Sequence, residues 1–279
     1  MYIKCWGSRG SIPVSGPGYL TYGGDTTCLE VRSDTNDLVI LDAGTGIRNL
    51  GSLMTREGCS ACHLLFTHVH WDHVMGLTAF TPLFNSACNI TIPRLPFGGN
   101  YIEEALDTLF SPPTFPVPYR DIKKHITFAE FPMDHFTIGN LSFDTIPMSH
   151  PNGGLGYRIR EGNRQFVFLT DNELGMQHEG GASFEEYVDF VRGSDLLLHD
   201  AEYTPEEYAV RTGWGHSAWP DTLRLALTAD VKRLGLIHHN AEHTDDAIDN
   251  IVNACRDDIL KSGSSLDCFA VGTDTVMAI

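Results

Sequence analysis

The chain has 279 residues, with 19 Lys plus Arg against 36 Asp plus Glu, a formal net charge of −17 at neutral pH. An acidic surface repels polyphosphates, so duplex DNA and bare RNA are not expected partners. With 42% hydrophobic, 20% charged and 10% aromatic residues, collagen, coiled coil and acidic tail are excluded, and the length allows ample burial without disulfide staples.

No basic stretch followed by an apolar run opens MYIKCWGSRG, and no window approaches the ~18 consecutive apolar residues of a membrane span. The expectation is a cytoplasmic protein with no membrane partner. Cysteines at 5, 28, 59, 62, 88, 255 and 268 are odd in number and scattered, which fits reduced thiols in the core. Cys59-Ser60-Ala61-Cys62-His63 mimics a haem-attachment site or half a zinc knuckle. Neither is expected, because no second cysteine pair exists and the segment leads straight into an apolar strand.

In chain order, β-rich runs at 2–6, 27–31, 38–42 and 64–67 lie between Gly- and Pro-rich turns and predict strands of one sheet. Dense apolar residues predict a helix over 74–84, and the proline-punctuated stretch 85–121 predicts a long loop or lid, with Phe115 as a pocket wall. Strands are expected at 126–131 and 141–146, and a hairpin at 157–160 and 165–169 around Glu161-Gly162-Asn163. Helical patterns at 183–192, where Ser183 and Glu186 suit a capping box, at 220–228 and at 244–260 alternate with strands at 196–198 and 234–237. Without repeats or a compositional break, residues 1–279 read as one layered α/β domain with a lid-like insertion at about 85–121.

Chemistry concentrates in Thr67-His68-Val69-His70-Trp71-Asp72-His73, directly after the apolar run at 64–66. Imidazole nitrogen and carboxylate oxygen suit Zn²⁺, Mn²⁺ or Fe²⁺, and alternation at 68, 70 and 72 with an extra ligand at 73 lets one turn face two ions.

These residues match the HxHxDH signature of the metallo-β-lactamase-fold superfamily, which the chain resembles over most of its length. The resemblance implies a four-layer αββα sandwich and further ligands at His150 in Ile-Pro-Met-Ser-His-Pro, at Asp171 after Phe166-Val167-Phe168-Leu169, and at His238 after Leu236-Ile237. In that arrangement His68, His70 and His150 hold one divalent ion, Asp72, His73 and His238 hold the other, and Asp171 bridges them. Zn²⁺ is the first expectation for both, with Mn²⁺ or Fe²⁺ as alternatives. Either member of the pair His238 and His239 could be the ligand, since successive strand residues face opposite ways; His238 is preferred because it follows the strand directly. The histidines at 63, 125, 135, 178 and 243 are expected at surface or structural positions.

Leu198-His199-Asp200-Ala201-Glu202-Tyr203 and Gly215-His216-Ser217 resemble paired motifs of ribonuclease Z and the phosphoribosyl cyclic phosphodiesterases. The resemblance implies that Asp200, where the family usually has Glu, orients His216, and that His216 gives a proton to the leaving oxygen. Catalysis would then rest on Asp72, Asp200 and His216 with a metal-bound hydroxide as nucleophile. The turns Trp6-Gly7-Ser8-Arg9-Gly10-Ser11, Tyr22-Gly23-Gly24-Asp25-Thr26 and Asp42-Ala43-Gly44-Thr45-Gly46 also resemble site-proximal turns of bacterial hydrolases of this branch. Arg9 or Arg48 could meet a phosphate there, but turn glycines and solvated arginines are the preferred reading.

The expected function is therefore a dinuclear hydrolase of a small cyclic or nucleotide-like phosphodiester, with a homodimer allowed by the resemblance. Rival readings are a ribonuclease Z-like tRNA 3′ endonuclease, a thioester or lactone hydrolase of glyoxalase II type, and a non-catalytic metal-loaded sensor.

Overall fold

The computed structural model describes every residue except 86, 87, 95, 98, 99 and 133, and only the backbone of 96, 97, 100 and 101. In chain order its strands are β1 (Tyr2–Gly7), β2 (Cys28–Arg32), β3 (Leu38–Leu41), β4 (Ala61–Leu65), β5 (Asn89–Pro93), β6 (Pro96–Phe97), β7 (Asn100–Tyr101) and β8 (Ile126–Ala129). There follow β9 (His135–Ile138), β10 (Leu141–Pro147), β11 (Leu155–Glu161), β12 (Arg164–Leu169), β13 (Leu196–Asp200), β14 (Arg233–Ile237), β15 (Asp267–Ala270) and β16 (Val276–Ala278). The helices are α1 (Ile47–Glu57), α2 (Trp71–Val74), α3 (Ile102–Leu109), α4 (Tyr119–Ile122), α5 (Phe184–Val191), α6 (Pro205–Ala209), α7 (Trp219–Thr228) and α8 (Asp245–Ser262).

Two seven-stranded sheets form, ordered β16-β1-β2-β3-β4-β5-β8 and β15-β14-β13-β12-β11-β10-β9. The second sheet is buried on both faces, and strand alternation sorts its side chains. Phe166, Phe168, Leu196 and Leu198 enter the core between the sheets, whereas Val167, Leu169 and Leu197 face the opposite way, toward the helices. There α7 presents Leu223, Leu225 and Ala226, and α8 presents Ile251, Val252, Cys255 and Ile259. On the other side α1 buries Ile47, Leu50 and Met54. The order helix, sheet, sheet, helix is the expected αββα sandwich, and each fully buried Leu, Ile or Phe stabilises it by roughly 1.5–3 kcal/mol over exposure.

The expected capping box at Ser183 and Glu186 is present. The expected helix over 74–84 is not: α2 ends at Val74 and two 3₁₀ turns follow, Met75–Ala79 and Thr81–Phe84. Pro82 has no N–H for a continuing ladder, and Gly76 sits so close to the Gly44 carbonyl that a Cβ would lie 2.0 Å from its oxygen. The stretch expected as loop, 85–121, contributes β5 to the first sheet, paired in parallel with β4 and β8, and also contributes α3. Ile90 and Ile92 supply the buried face of β5; residues 86, 87, 95, 98 and 99 of that stretch lie outside the described residues.

Strands β3, β4 and β5 run parallel, as do β12, β13, β14 and β15. The carboxyl ends of parallel strands are where α/β sheets place ligands. Asp42 leaves β3, Thr67 and His68 leave β4, Asp171 leaves β12, Asp200 ends β13 and His238 leaves β14.

Candidate metal centre

Three of these exits turn sharply. Asp42, Asp171 and His238 have φ of 61°, 53° and 60°, a left-handed conformation uncommon outside glycine and concentrated at functional positions. His70 caps α2 in extended conformation, so Asp72 and His73 fall in that helix's first turn.

The side chains converge as two sets. His68, His70 and His150 form one, and Asp72, His73, Asp171 and His238 the other; within each set the ligand atoms lie within 4.8 Å of one another. Asp171 stands between them. Its Oδ1 is 3.2 Å from Nε2 of both His73 and His238, and its Oδ2 is 3.6 Å from His68 Nε2 and 3.9 Å from His150 Nε2. One oxygen toward each set is the geometry a bridging carboxylate needs.

Four of the five rings are fixed through their other nitrogen, while His70 has Nδ1 2.9 Å from His150 Nε2 and Nε2 3.2 Å from the Asn152 amide nitrogen. His73 Nδ1 donates to Asp42 Oδ2 at 2.9 Å, and Asp42 also accepts the Thr67 N–H and hydroxyl at 2.7 and 2.8 Å. With its proton given to Asp42, the Thr67 oxygen accepts from His68 Nδ1 at 3.0 Å. His150 Nδ1 donates to the Gly215 carbonyl at 2.9 Å, and His238 Nδ1 to Glu202 at 3.1 Å. Such outer partners set tautomer and orientation in metal sites. They leave Nε2 of His68 and His73 buried without a hydrogen-bond partner. Orphaned buried nitrogens are costly and rare, and a borderline cation aimed at by imidazoles and carboxylates satisfies them, so the residues present fit two divalent ions.

Electrostatics separate the sets. Burial pushes His68 well below the usual imidazole range and His150 down to about 4, favouring neutral rings with a free lone pair. Burial works against the charged forms of His73 and His238 as well, but Asp171, with Asp72 beside it, overcomes it and holds both well above that range. Asp72 and Asp171 are correspondingly held well below the carboxylate range, the surrounding histidines outweighing burial.

Next to the second set, His216 Nδ1 meets Asp200 Oδ2 at 2.7 Å and Glu202 Oε2 at 3.3 Å, and lies 3.9 Å from Asp171. Burial would lower it; the Glu202 and Asp200 carboxylates prevail and raise it to about 9. The shorter Asp at 200 therefore reaches His216 without difficulty. Two glycines make room: a Cβ on Gly10 would lie 2.4 Å from the His238 ring, and one on Gly215, at φ 93°, would lie 2.1 Å from His150 Nδ1.

Every ligand expected from the sequence lies in this cluster, and of the two neighbours it is His238 that faces it. His239 points away, donating from Nε2 to the Val271 carbonyl. Arg9 is neither at a phosphate position nor solvated: it is fully buried, donating to the carbonyls of Gly23 and His243 and tying the first turn to the α8 entry. Backbone carbonyls accept from its Nε and Nη1 while Nη2 is left with only Asp245 at 3.8 Å, a burial that a motif of glycines and arginine does not reveal. Arg48 is exposed on α1. Among the remaining histidines, His178 pairs with Glu173, His243 with Glu207 and His135 with Asp144.

Sequence reasoning missed Asp42, Glu202 and Glu173 as working carboxylates. Glu173 accepts from Gly213 N, Gly215 N, Tyr208 and His178, so it holds the turn that leads into His216. The available signal for Asp42 was a carboxylate directly after an apolar strand, the same signal that marked Asp171.

A family description, "Beta-lactamase superfamily domain", matches residues 38–239. The chain belongs to this superfamily, and with its α/β sandwich and His/Asp cluster it is a metallo-β-lactamase-fold hydrolase whose site suits divalent metal ions. Among individual proteins it is similar to ribonuclease Z of Oceanobacillus iheyensis, 19% identical over 271 residues covering 82% of this chain and 87% of that one. Its fold is similar to the metallo-β-lactamase fold protein YhfI of Bacillus subtilis, with TM-score 0.70 and 17% identity over 99% of both chains. It is also similar to the short form of human tRNase Z, with TM-score 0.65 and 15% identity over 100% of this chain and 99% of that one. These ribonuclease names run against the expectation, drawn from net charge, that nucleic acid is no partner. Among the described residues no helix is long and apolar enough to cross a membrane, and all seven cysteines are free.

Proposed function

We propose that the chain is a dinuclear metal-dependent phosphodiesterase acting on a small cyclic or nucleotide-like diester, with His68, His70 and His150 on one ion, Asp72, His73 and His238 on the other, and Asp171 between. The observation that carries this reading is the Asp200–His216 pair set against the metal cluster. A phosphodiester leaves as an alkoxide, which needs a proton; a thioester leaves as a stable thiolate, which does not. Glu202 and Asp200 raise His216 against burial and so favour its protonated form, and with Nδ1 given to Asp200 its Nε2–H is the donor for the leaving oxygen. Two divalent ions, Zn²⁺ before Mn²⁺ or Fe²⁺, supply charge for the phosphoryl oxygens and lower the pKa of attacking water. Ser11 N–H, at 2.9 Å from Asp72 Oδ2, and Glu202 keep the acidic set in place while the substrate binds.

A second reading, a tRNA 3′ endonuclease, is favoured by the names of the curated relatives and by their coverage of most of this chain. A panel of bis(p-nitrophenyl) phosphate, cyclic nucleotides, precursor tRNA and a thioester, assayed with each metal, separates them. His216→Ala is expected to lower diester turnover about 10²–10⁴-fold with metal content intact, and to spare thioester turnover. Efficient 3′ cleavage of precursor tRNA replaces the small substrate with the second reading; the reverse pattern for His216→Ala makes the enzyme a thioesterase.

A further inference from the structure

The loop that supplies His68, His70, Asp72 and His73 has a second face. Val69 and Trp71 alternate with the ligands, Val74 follows them, and the three line a cavity of about 680 Å³ whose other wall includes Leu109 of α3 and Phe115. That volume lies within the range of small-molecule sites, roughly 300–1,000 Å³. Trp71 is 58% exposed, an apolar ring left in water beside a polar centre. Among the described residues lining the cavity the single charged one is Glu104, and none is Lys or Arg.

We infer that this cavity is a subsite for the nucleobase of a mononucleotide diester, with Trp71 as the stacking platform. The inference rests on the phosphodiesterase reading and adds what that reading leaves open, the group on the far side of the scissile phosphate. Proximity carries it: Trp71 stands between the ligands His70 and Asp72 in the chain, one Cα spacing of about 3.8 Å from each, which sets this wall beside the cluster. Charge narrows the occupant. A carboxylate and no cation repel a second phosphate, which excludes a polynucleotide strand tracked by its backbone, whereas a flat uncharged ring gains from stacking on indole and from burial against Leu109 and Phe115. The hydroxyls of Thr78, Thr108 and Thr114, also on the lining, offer hydrogen bonds to base edges.

Two measurements on the metal-loaded protein test it. Adenosine, which has no phosphate, is titrated by calorimetry into the wild type, Trp71→Ala and Trp71→Phe; the exposure of Trp71 makes both variants compatible with folding. The expected result is binding by the wild type, loss of about tenfold in Trp71→Ala and retention in Trp71→Phe, the size and pattern of a removed and a restored ring stack. In parallel, the ratio of kcat/KM for 2′,3′-cyclic AMP over a base-free ribose cyclic phosphate is expected to fall about tenfold in Trp71→Ala. Diester turnover with no adenosine binding and an unchanged ratio overturns the subsite while the phosphodiesterase reading stands. Adenosine binding that depends on Trp71, without turnover of any diester, supports the subsite and removes the phosphodiesterase reading.

Discussion

The histidine set and the acidic set share Asp171 but are oriented by different chemistry. His68 leans on the Thr67 hydroxyl and His150 on the Gly215 carbonyl, both neutral dipoles. His73 and His238 lean on the carboxylates of Asp42 and Glu202. One set is therefore positioned by hydroxyl and backbone around neutral rings, and the other by carboxylates around rings that Asp171 and Asp72 hold above the usual imidazole range. Negative charge accumulates on the second side, through Asp72, Asp42 and Glu202, so its hold on a cation is electrostatic, whereas the first side depends on where the backbone puts its nitrogens.

The largest effect expected erases the distinction: Asp171→Asn removes the carboxylate common to both sets, and mass spectrometry of the native protein should find both ions lost, with activity falling further than the 10–100-fold typical of an outer partner. Asp42→Asn and Glu202→Gln sharpen it. Each should cost about 10–100-fold in metal affinity or activity and release one ion of two; equal loss of both ions in these variants breaks the comparison. Smaller effects on metal binding are expected of the glycines, because a ring can shift to relieve a clash, while Ala at 215 adds backbone strain at φ 93°. Gly10→Ala presses on His238 and Gly215→Ala on His150, so metal titrations should weaken opposite ions in the two variants.

The smallest effect concerns stability. Burial would raise the Glu173 carboxyl, but the Gly213 and Gly215 amides, with His178 and Tyr208, hold it below its ordinary 4.5. A depressed carboxyl contributes stability that is present above about pH 4.5 and lost as the pH falls through its lower folded value. Glu173→Gln should thus lower the urea unfolding free energy by roughly 1–3 kcal/mol at pH 7, and the gap to the wild type should narrow progressively toward pH 3. A gap constant with pH removes the charge from the explanation and leaves only shape.

What the sequence made legible follows from locality. Four ligands in six residues after an apolar strand, His68 to His73, need no tertiary knowledge, and β12 with Asp171 behind it repeats the signal. Strand runs with unbroken apolar residues, such as β3 and β13, were also plain. Strands β9, β15 and β16 were missed because they are short, lie at sheet edges and alternate exposed residues with few buried ones. Asp42, Glu202 and Glu173 were illegible as orienting groups because their partners lie 31, 36 and about 40 residues away, and only the packed sheets bring them together. The facing of His238 rather than His239 depends on a positive φ at the strand exit, which no side-chain pattern announces.

Anomalous diffraction from crystals grown with Zn²⁺ tests the central claim most directly. Two peaks are expected, one among His68, His70 and His150 and the other among Asp72, His73 and His238, with Asp171 reaching both. A cluster that binds no ion, or a single ion held away from Asp171, contradicts it.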